Sequence, residues 1–343
     1  MKEALQGPNH SFAPEAQGAD NSLSNLWLKE RREGDPEVRF EIVFGPHRNS
    51  KDVEIIKDRF KGADIYIPES INWNENIEKM YSGLSHGLIK PEQAESSYPP
   101  EEKKGQFYLF GKETRKMIYG SGKEIVFVDV PDDHEMMDKY DILGDKLDTF
   151  FKIRDLGEAI KALREYLQFH AEIDKQREEL ILQQIPLRIR EVLDKRKDLR
   201  AKPQVKVLLS LGARHTSLYP GLRNLGGEKQ VSRTFPSNVM VMGFPEEAIR
   251  KIKFGRETVN SMSDEFLAKV ALELSFYAYF SRSIQEKSTT EDTLKLGNQI
   301  RDIVKSFSTK DIEGVYNLIF KGRKFRDVVL EICRKKGIAV AGF

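Results

Sequence analysis

Apolar residues follow two rhythms along this chain. Short, nearly continuous β-branched runs alternate with stretches in which apolar residues recur every three or four positions. The first run, Val38 to Phe44 (V-R-F-E-I-V-F), stops at the Gly45-Pro46 turn signal. Val53, Ile55, Ile56 and Phe60 then fall at helical spacing, with Ser50 as the N-cap and Gly62 at the end. Asp64 to Pro68 is a second short strand, with Glu69 at its end. Strand, helix and strand within about thirty residues make a βαβ unit, which sets the two strands parallel.

Further on, Ile77, Met80, Tyr81 and Leu84 have helical spacing, as does Phe107 to Tyr119, and Ser96 to Lys104 between them is a loop. Ile125 to Val130 is a buried-strand pattern closing on Asp129-Val130-Pro131. Leu156 to Gln184 is predicted as one long amphipathic helix, its apolar side marked by Ile160, Leu163, Leu167, His170, Ile173 and Leu180. Pro186 is expected to kink or break it, and a basic helix, 187–200, to follow with Ile189, Val192 and Leu193 inward. Val205 to Leu211 is another strong strand and runs directly into Gly212-Ala213-Arg214-His215. Val231 to Phe235 and Val239 to Met242 are later strand candidates.

From Phe244 onward the rhythm is helical. Ser263 is a cap, Ser308 with Asp311 resembles a capping box, and Phe325 to Ile332 forms the last helix. The predicted fold is α/β: a mainly parallel sheet flanked by helices, with a helical C-terminal region and a disordered N-terminal tail. The expected division is a flexible tail over 1–36, a core domain over 37–244 and a helical region over 245–343. The tail has few large apolar groups before Leu26, Trp27 and Leu28, a cluster that could dock on the body.

Composition narrows the function classes. The 343 residues carry 56 Lys and Arg against 54 Asp and Glu, a net charge of +2 with the signs mixed. That balance argues against a nucleic-acid or membrane surface. The single cysteine, Cys333, follows Val328, Val329 and Ile332 on an apolar stripe and fits a reducing compartment. No signal-peptide pattern or membrane-span-length apolar run is present, so a cytoplasmic location is expected.

Four predicted strands end at or just before a polar residue: His47, Glu69, Asp129 and His215. In an open α/β sheet the carboxyl ends of the strands line the ligand crevice, so these four are expected to converge. Two imidazoles and two carboxylates suit a divalent metal such as Mn, Co or Zn, or the activation of a water. His47, Glu69, Asp129 and His215 are therefore the candidate metal ligands. His47, Glu69 and His215 are also the candidate catalytic groups, with Arg190, or its neighbour Arg188, stabilising developing negative charge. Each has a plainer reading. A histidine after a strand can be a loop residue, Glu69 a cap, Asp129 a turn-former, and the two arginines part of a solvated basic face. His134 is an alternative ligand, His86 fits a turn, and His170 fits a helix interface. No phosphate-cradling glycine fingerprint follows any strand, and no Gly-x-Ser-x-Gly elbow is present.

The order of these features resembles the TraB/TIKI superfamily and its erythromycin-esterase-like and ChaN-like relatives. A strand runs into Gly45-Pro46-His47, a second ends at Glu69, a third carries Asp129, a long helix bears arginine, and a last strand runs into Gly212-Ala213-Arg214-His215. The resemblance covers roughly residues 38–240. It implies a hydrolase that activates water with His and Glu, metal-assisted, on an ester or amide, with a small-molecule or peptide substrate. Gly45-Pro46-His47 is one residue shorter than the family's Gly-x-x-His and lacks the Glu found after the glycine in the esterase and ChaN-like members. The alternative is a catalytically degenerate relative that binds a protein partner, or self-associates, through the crevice or the helical C-terminal region.

Overall fold

The computed structural model describes residues 34–45, 50–96, 106–226, 230–235, 243–287 and 290–335. The Leu26-Trp27-Leu28 cluster, His47 and the Val239–Met242 strand candidate lie outside them. Five strands form one all-parallel sheet: β1 Glu37–Gly45, β2 Ile65–Pro68, β3 Glu124–Ile125, β4 Gln204–Gly212 and β5 Val231–Thr234. Their spatial order is β3-β2-β4-β1-β5. β1 and β4 pair along their whole length, from Glu37 opposite Gln204 to Gly45 opposite Gly212. Helices cover both faces, which is why the strands are apolar runs rather than alternating ones.

The helices are α1 Ser50–Gly62, α2 Glu75–Ser85, α3 Pro91–Ser96, α4 Gln106–Ile118, α5 Met136–Lys152, α6 Leu156–Lys195, α7 Lys197–Arg200, α8 Leu218–Gly226 and α9 Phe244–Lys253. The C-terminal helices are α10 Asp264–Lys287, α11 Thr290–Ser306, α12 Thr309–Phe320 and α13 Phe325–Lys335. Ser308 and Asp311 form a reciprocal capping box on α12. No described helix is long and apolar enough to cross a membrane.

Two expectations need correction. The third strand is two residues long rather than six. Val126 still donates to Tyr66 O, but its neighbour β2 ends at Pro68, which has no N–H to continue a ladder. Residues 126–130 therefore run on outside the sheet, with Phe127, Val128 and Val130 buried. Likewise α6 runs unbroken for 40 residues through Pro186. Ile185 and Ile189, on either side of the proline, are both buried, and this packing offsets the lost backbone hydrogen bond. The helix ends instead at Arg196, whose guanidinium turns to Asp198 at 2.8 and 2.7 Å.

Packing divides the molecule into three apolar clusters. One face of the sheet (Val43, Tyr66, Leu208) meets α1, α2 and α4 through Phe60, Leu84 and Ile118. The opposite face (Phe40, Ile42, Ile67, Val207, Leu209) meets α8 and the C-terminal half of α6, through Ile181, Ile185 and Ile189. A third cluster joins α5 and the N-terminal half of α6, including Leu163, Leu167 and Ile173, to α9–α13. Thus α6 crosses from a helical layer to a sheet layer, and the crossing lies between Ile173 and Ile181.

Candidate functional site

At that crossing the buried face of α6 changes character. Leu163 and Leu167 give way to His170, Asp174, Arg177 and Glu178 before Ile181, Ile185 and Ile189 resume. The spacing i, i+4, i+7 and i+8 puts the four polar groups on one helix face. All four are buried. They sit beside the carboxyl ends of β2 and β4, where Glu69 and His215 emerge, and beside Asp129 in the segment after β3.

Arg177 is the centre. Its Nε donates to Asp129 Oδ1 at 2.8 Å and its Nη2 to Asp129 Oδ2 at 2.6 Å, a two-pronged pair. Nη2 also donates to Glu69 Oε1 at 2.8 Å, and Nη1 lies 3.0 Å from His215 Nε2. Burial opposes the charge on Arg177, and the Asp129 and Glu69 carboxylates more than restore it. Asp129 is fixed in turn by the N–H of Val130 at 2.9 Å, while the indole of Trp73 donates to its backbone carbonyl at 2.7 Å.

His215 stands between two carboxylates. Its Nδ1 is 3.0 Å from Glu178 Oε1 and its Nε2 is 3.2 Å from Glu69 Oε1. Glu178 also accepts from Lys253 Nζ at 2.7 Å and from the Ser217 hydroxyl. Burial works against ionisation of Glu178, but His215 and Lys253 hold its carboxyl below the ordinary carboxylate value. Burial and the charge of Arg177 both push the His215 imidazole down. The bonds to Glu178 and Glu69 outweigh them, so it titrates above its ordinary value. Two hydrogen-bond states follow. With Nε2 unprotonated, Nε2 accepts from Arg177 Nη1. With Nε2 protonated, it donates to Glu69 Oε1 and faces the guanidinium as a like charge. Nε2 is thus a point where one proton redistributes the bonding of three side chains.

Glu69 is the member with access to solvent. Its side chain keeps 19 % of its surface, against 6 % for Arg177, 2 % for Asp129 and 3 % for His215. The N–H of Gly212 donates to Glu69 Oε2. A Cβ at position 212 would stand 2.9 Å from that oxygen, so only glycine lets the carboxylate approach the backbone this closely.

The other end of the stripe is a second, linked group. His170 Nε2 lies 2.9 Å from Arg214 Nη1 and its Nδ1 lies 3.1 Å from the Tyr166 hydroxyl. Burial pushes His170 down to about 4, against a smaller opposing pull from Asp174. His170 is therefore a neutral imidazole near pH 7 that accepts from Arg214, consistent with the helix-interface reading but with polar partners. Asp174 lies 3.8 Å from His170 and 3.9 Å from Arg214.

Of the residues expected at the site, Glu69, Asp129 and His215 meet at Arg177. His47 lies outside the described residues. Arg188 is turned away: it pairs with Glu78, bonds Glu191 at 2.8 Å and covers Trp73. Arg190 lies about 20 Å further along the helix axis than Arg177, at about 1.5 Å per residue. The arginine facing the strand ends is thus Arg177, not Arg188 or Arg190. His134 caps the start of α5, its Nδ1 3.1 Å from the N–H of Met136. His86 closes α2, with Nδ1 2.8 Å from Ser82 O.

The described donors do not fit a resident divalent ion. Among the described residues no group of three or more His, Cys, Asp or Glu is arranged to hold one. The Arg177 guanidinium fills the space between Asp129, Glu69 and His215. A surface hollow of about 270 Å³ lies elsewhere, between α5 and α6, lined by Ile142, Lys146 and Glu165 among others, and includes no member of the network. Comparison of the chain with protein-family models, with curated proteins and with solved structures finds no significant match.

Proposed function

We propose that the chain is a hydrolase of an ester or amide in which Glu69 meets water and substrate and His215 exchanges the proton. The observation that carries this reading is the placement of His215 Nε2 at 3.2 Å from the one carboxylate of the group that reaches solvent. A carboxylate and an imidazole within proton-transfer distance, at the carboxyl edge of a parallel sheet, is a general acid–base arrangement. Glu69 takes the proton of a water whose oxygen attacks the carbonyl carbon, and the proton passes to His215 Nε2. As the C–O or C–N bond breaks, His215 gives it to the departing alcohol or amine, which returns both groups to their starting states. Glu178, on the far side of the ring, holds the imidazole by Nδ1 and stabilises its cationic form. Arg177 is a positioning residue: it fixes Asp129 and Glu69 and supplies positive charge beside the site. The resemblance of the motif order to the TraB/TIKI superfamily points to the same class.

The reading is tested on p-nitrophenyl acetate, p-nitrophenyl butyrate and a fluorogenic peptide panel, comparing wild type with Glu69→Gln. Removing a general base costs about 10²–10⁴-fold in rate. The expected result is that loss with the folded structure retained by circular dichroism, alongside a lower unfolding temperature because Arg177 and His215 lose a carboxylate partner. Equal rates in the two proteins would remove Glu69 from the chemistry.

A second reading has its own support. Lys253 and Arg250 from α9 both reach the turn that carries His215: Lys253 donates to Arg214 O at 2.9 Å and Arg250 to Ala213 O at 3.2 Å. On this reading the charged stripe is a clamp joining the C-terminal helices to the sheet of a non-catalytic binding protein. It predicts no turnover by wild type on any of these substrates, with Glu69→Gln and the other network variants changing stability alone.

A further inference from the structure

The C-terminal end of α9 carries positive charge that the His215 network leaves unneutralised. α9 stops in a reversal at Gly255, whose φ of +64° is one that other residues rarely adopt. The N–H groups of Gly255 and Arg256 return to Ile252 O and Lys251 O, each at 2.9 Å. This folds Arg256 back beside the last helical turn, where its guanidinium lies 5.9 Å from the centre of the Phe254 ring. Arg250 lies 5.4 Å and Lys253 Nζ 5.5 Å from the same centre. Three cations therefore surround one half-buried phenyl ring, whose faces favour positive charge.

Lys253 is spent on Glu178 and Arg214 O. Among the described residues the two arginines are not paired with any acid. Arg250 donates to neutral oxygens, Ala213 O at 3.2 Å and Thr216 Oγ1 at 3.0 Å. Among the described residues neither Arg250 nor Arg256 forms an ion pair. The nearby carboxylates are engaged elsewhere: Glu178 with His215 and Lys253, Glu246 with Arg214 at 3.1 Å, and Glu257 with Lys251 at 2.9 Å. The strain registers on Arg250. Burial pushes it below its ordinary value, and the charge of Arg256 adds to that against a partial offset from Glu246.

We propose that Arg250 and Arg256, braced on Phe254, bind an oxyanion, the phosphate or carboxylate group of a small molecule, at a site separate from Glu69. Guanidinium forks match both groups in geometry, and the two, held against one ring and close enough for the charge of Arg256 to act on Arg250, share one anion at the rim of that ring. Arg250 is also tied to Ala213 and Thr216, the residues on either side of Arg214 and His215. An anion that draws on the Arg250 guanidinium therefore acts on the turn that carries His215. The binding claim does not depend on the chain being a hydrolase.

The test is a titration of the full chain with inorganic phosphate and, separately, with citrate, at ionic strength held constant with chloride, read by thermal shift and calorimetry. The expected result is saturable stabilisation by at least one of the two. Arg256→Gln should raise the half-saturating concentration by about tenfold or more, and because Arg256 is exposed the fold survives the change. Lys251→Gln, which removes a neighbouring cation already paired with Glu257, should leave binding within about twofold. Phosphate-only binding assigns a phosphate ligand, and citrate-only binding a carboxylate. Saturation by neither anion, or equal weakening by Arg256→Gln and Lys251→Gln, overturns the proposal.

Discussion

The two ends of α6 and its middle are one helix with the same buried face, yet they are built on different physics. At the ends, Leu163 and Leu167 on one side and Ile185 and Ile189 on the other fill two separate apolar clusters. Each gains by leaving water, in proportion to area and without regard to direction. In the middle, His170, Asp174, Arg177 and Glu178 occupy the same stripe where the helix passes from one cluster to the other. Burying such groups is costly unless every charge finds a partner, and several partners here come from β2, β4 and α9. The ends tolerate loose complementarity. The middle requires a specific geometry, which is a reason to look for function there.

The largest effect expected from this contrast concerns Arg177. Arg177→Met strands Asp129 and Glu69 without their cation and should cost about 3–5 kcal/mol in urea unfolding. Adding Asp129→Asn should recover part of that loss, because the stranded charge is removed. Ile189→Ala should cost about 2–5 kcal/mol by leaving a cavity, and combined with Asp129→Asn it should add within about 0.5 kcal/mol. Additive behaviour of Arg177→Met with Asp129→Asn would erase the distinction between the middle and the ends.

The pH dependence sharpens the contrast within the middle itself. His215 titrates above its ordinary value in the folded state, so its contribution to stability is complete below about pH 6.5 and is lost as pH rises through the folded value. His170 is held down to about 4, so its contribution is present above about pH 6.5 and is lost as pH falls toward 4. For His170 that loss is on the order of 3 kcal/mol at the acid end. His170→Gln should therefore flatten the acid limb of a stability profile, and His215→Gln the alkaline limb. Parallel changes in the two variants would contradict the opposed settings.

Much of the sheet was legible in the sequence, and the site only in part. β-branched runs at Val38–Phe44 and Val205–Leu211 marked their strands because a parallel strand buried on both faces needs such runs. Glu69, Asp129 and His215 could be picked out because they stand at or beyond the ends of such runs. Arg177 and Glu178 give no strand-end signal, because they sit inside a helix whose apolar spacing reads as continuous. The available signal was the interruption of the stripe, with Asp174, Arg177 and Glu178 in register with Leu163, Leu167 and Ile181. Arg188 and Arg190 are the arginines nearest the next strand in sequence, and strand-end reasoning selects them instead. Lys253 carried no local sign at all, since its burial against Glu178 comes only from the packing of α9. The short third strand followed from Pro68 in its neighbour, a cause invisible within residues 125–130.

Two smaller effects mark the edges of the site. Gly212→Ala should displace the Glu69 carboxylate from its backbone donor and cost about 1–3 kcal/mol, with activity falling alongside if Glu69 is the group that meets water. Arg188→Gln, on the same helix but outside the network, should cost about 1 kcal/mol or less and leave activity unchanged, since its partners Glu78 and Glu191 are partly exposed. A larger loss of activity from Arg188→Gln than from Gly212→Ala would move the site along the helix.

The most direct measurement is a nitrogen-15 NMR pH titration of the His215 ring in wild type and in Glu69→Gln. If the middle of α6 is a proton-exchanging centre, the wild-type ring titrates above the free-histidine value of about 6.5. Its midpoint then falls in Glu69→Gln, because one of the two carboxylates that stabilise the cation has become neutral. A wild-type ring that stays neutral below about pH 6.5, or a midpoint that ignores the loss of the Glu69 charge, would contradict the coupling of His215 to the solvent-facing carboxylate.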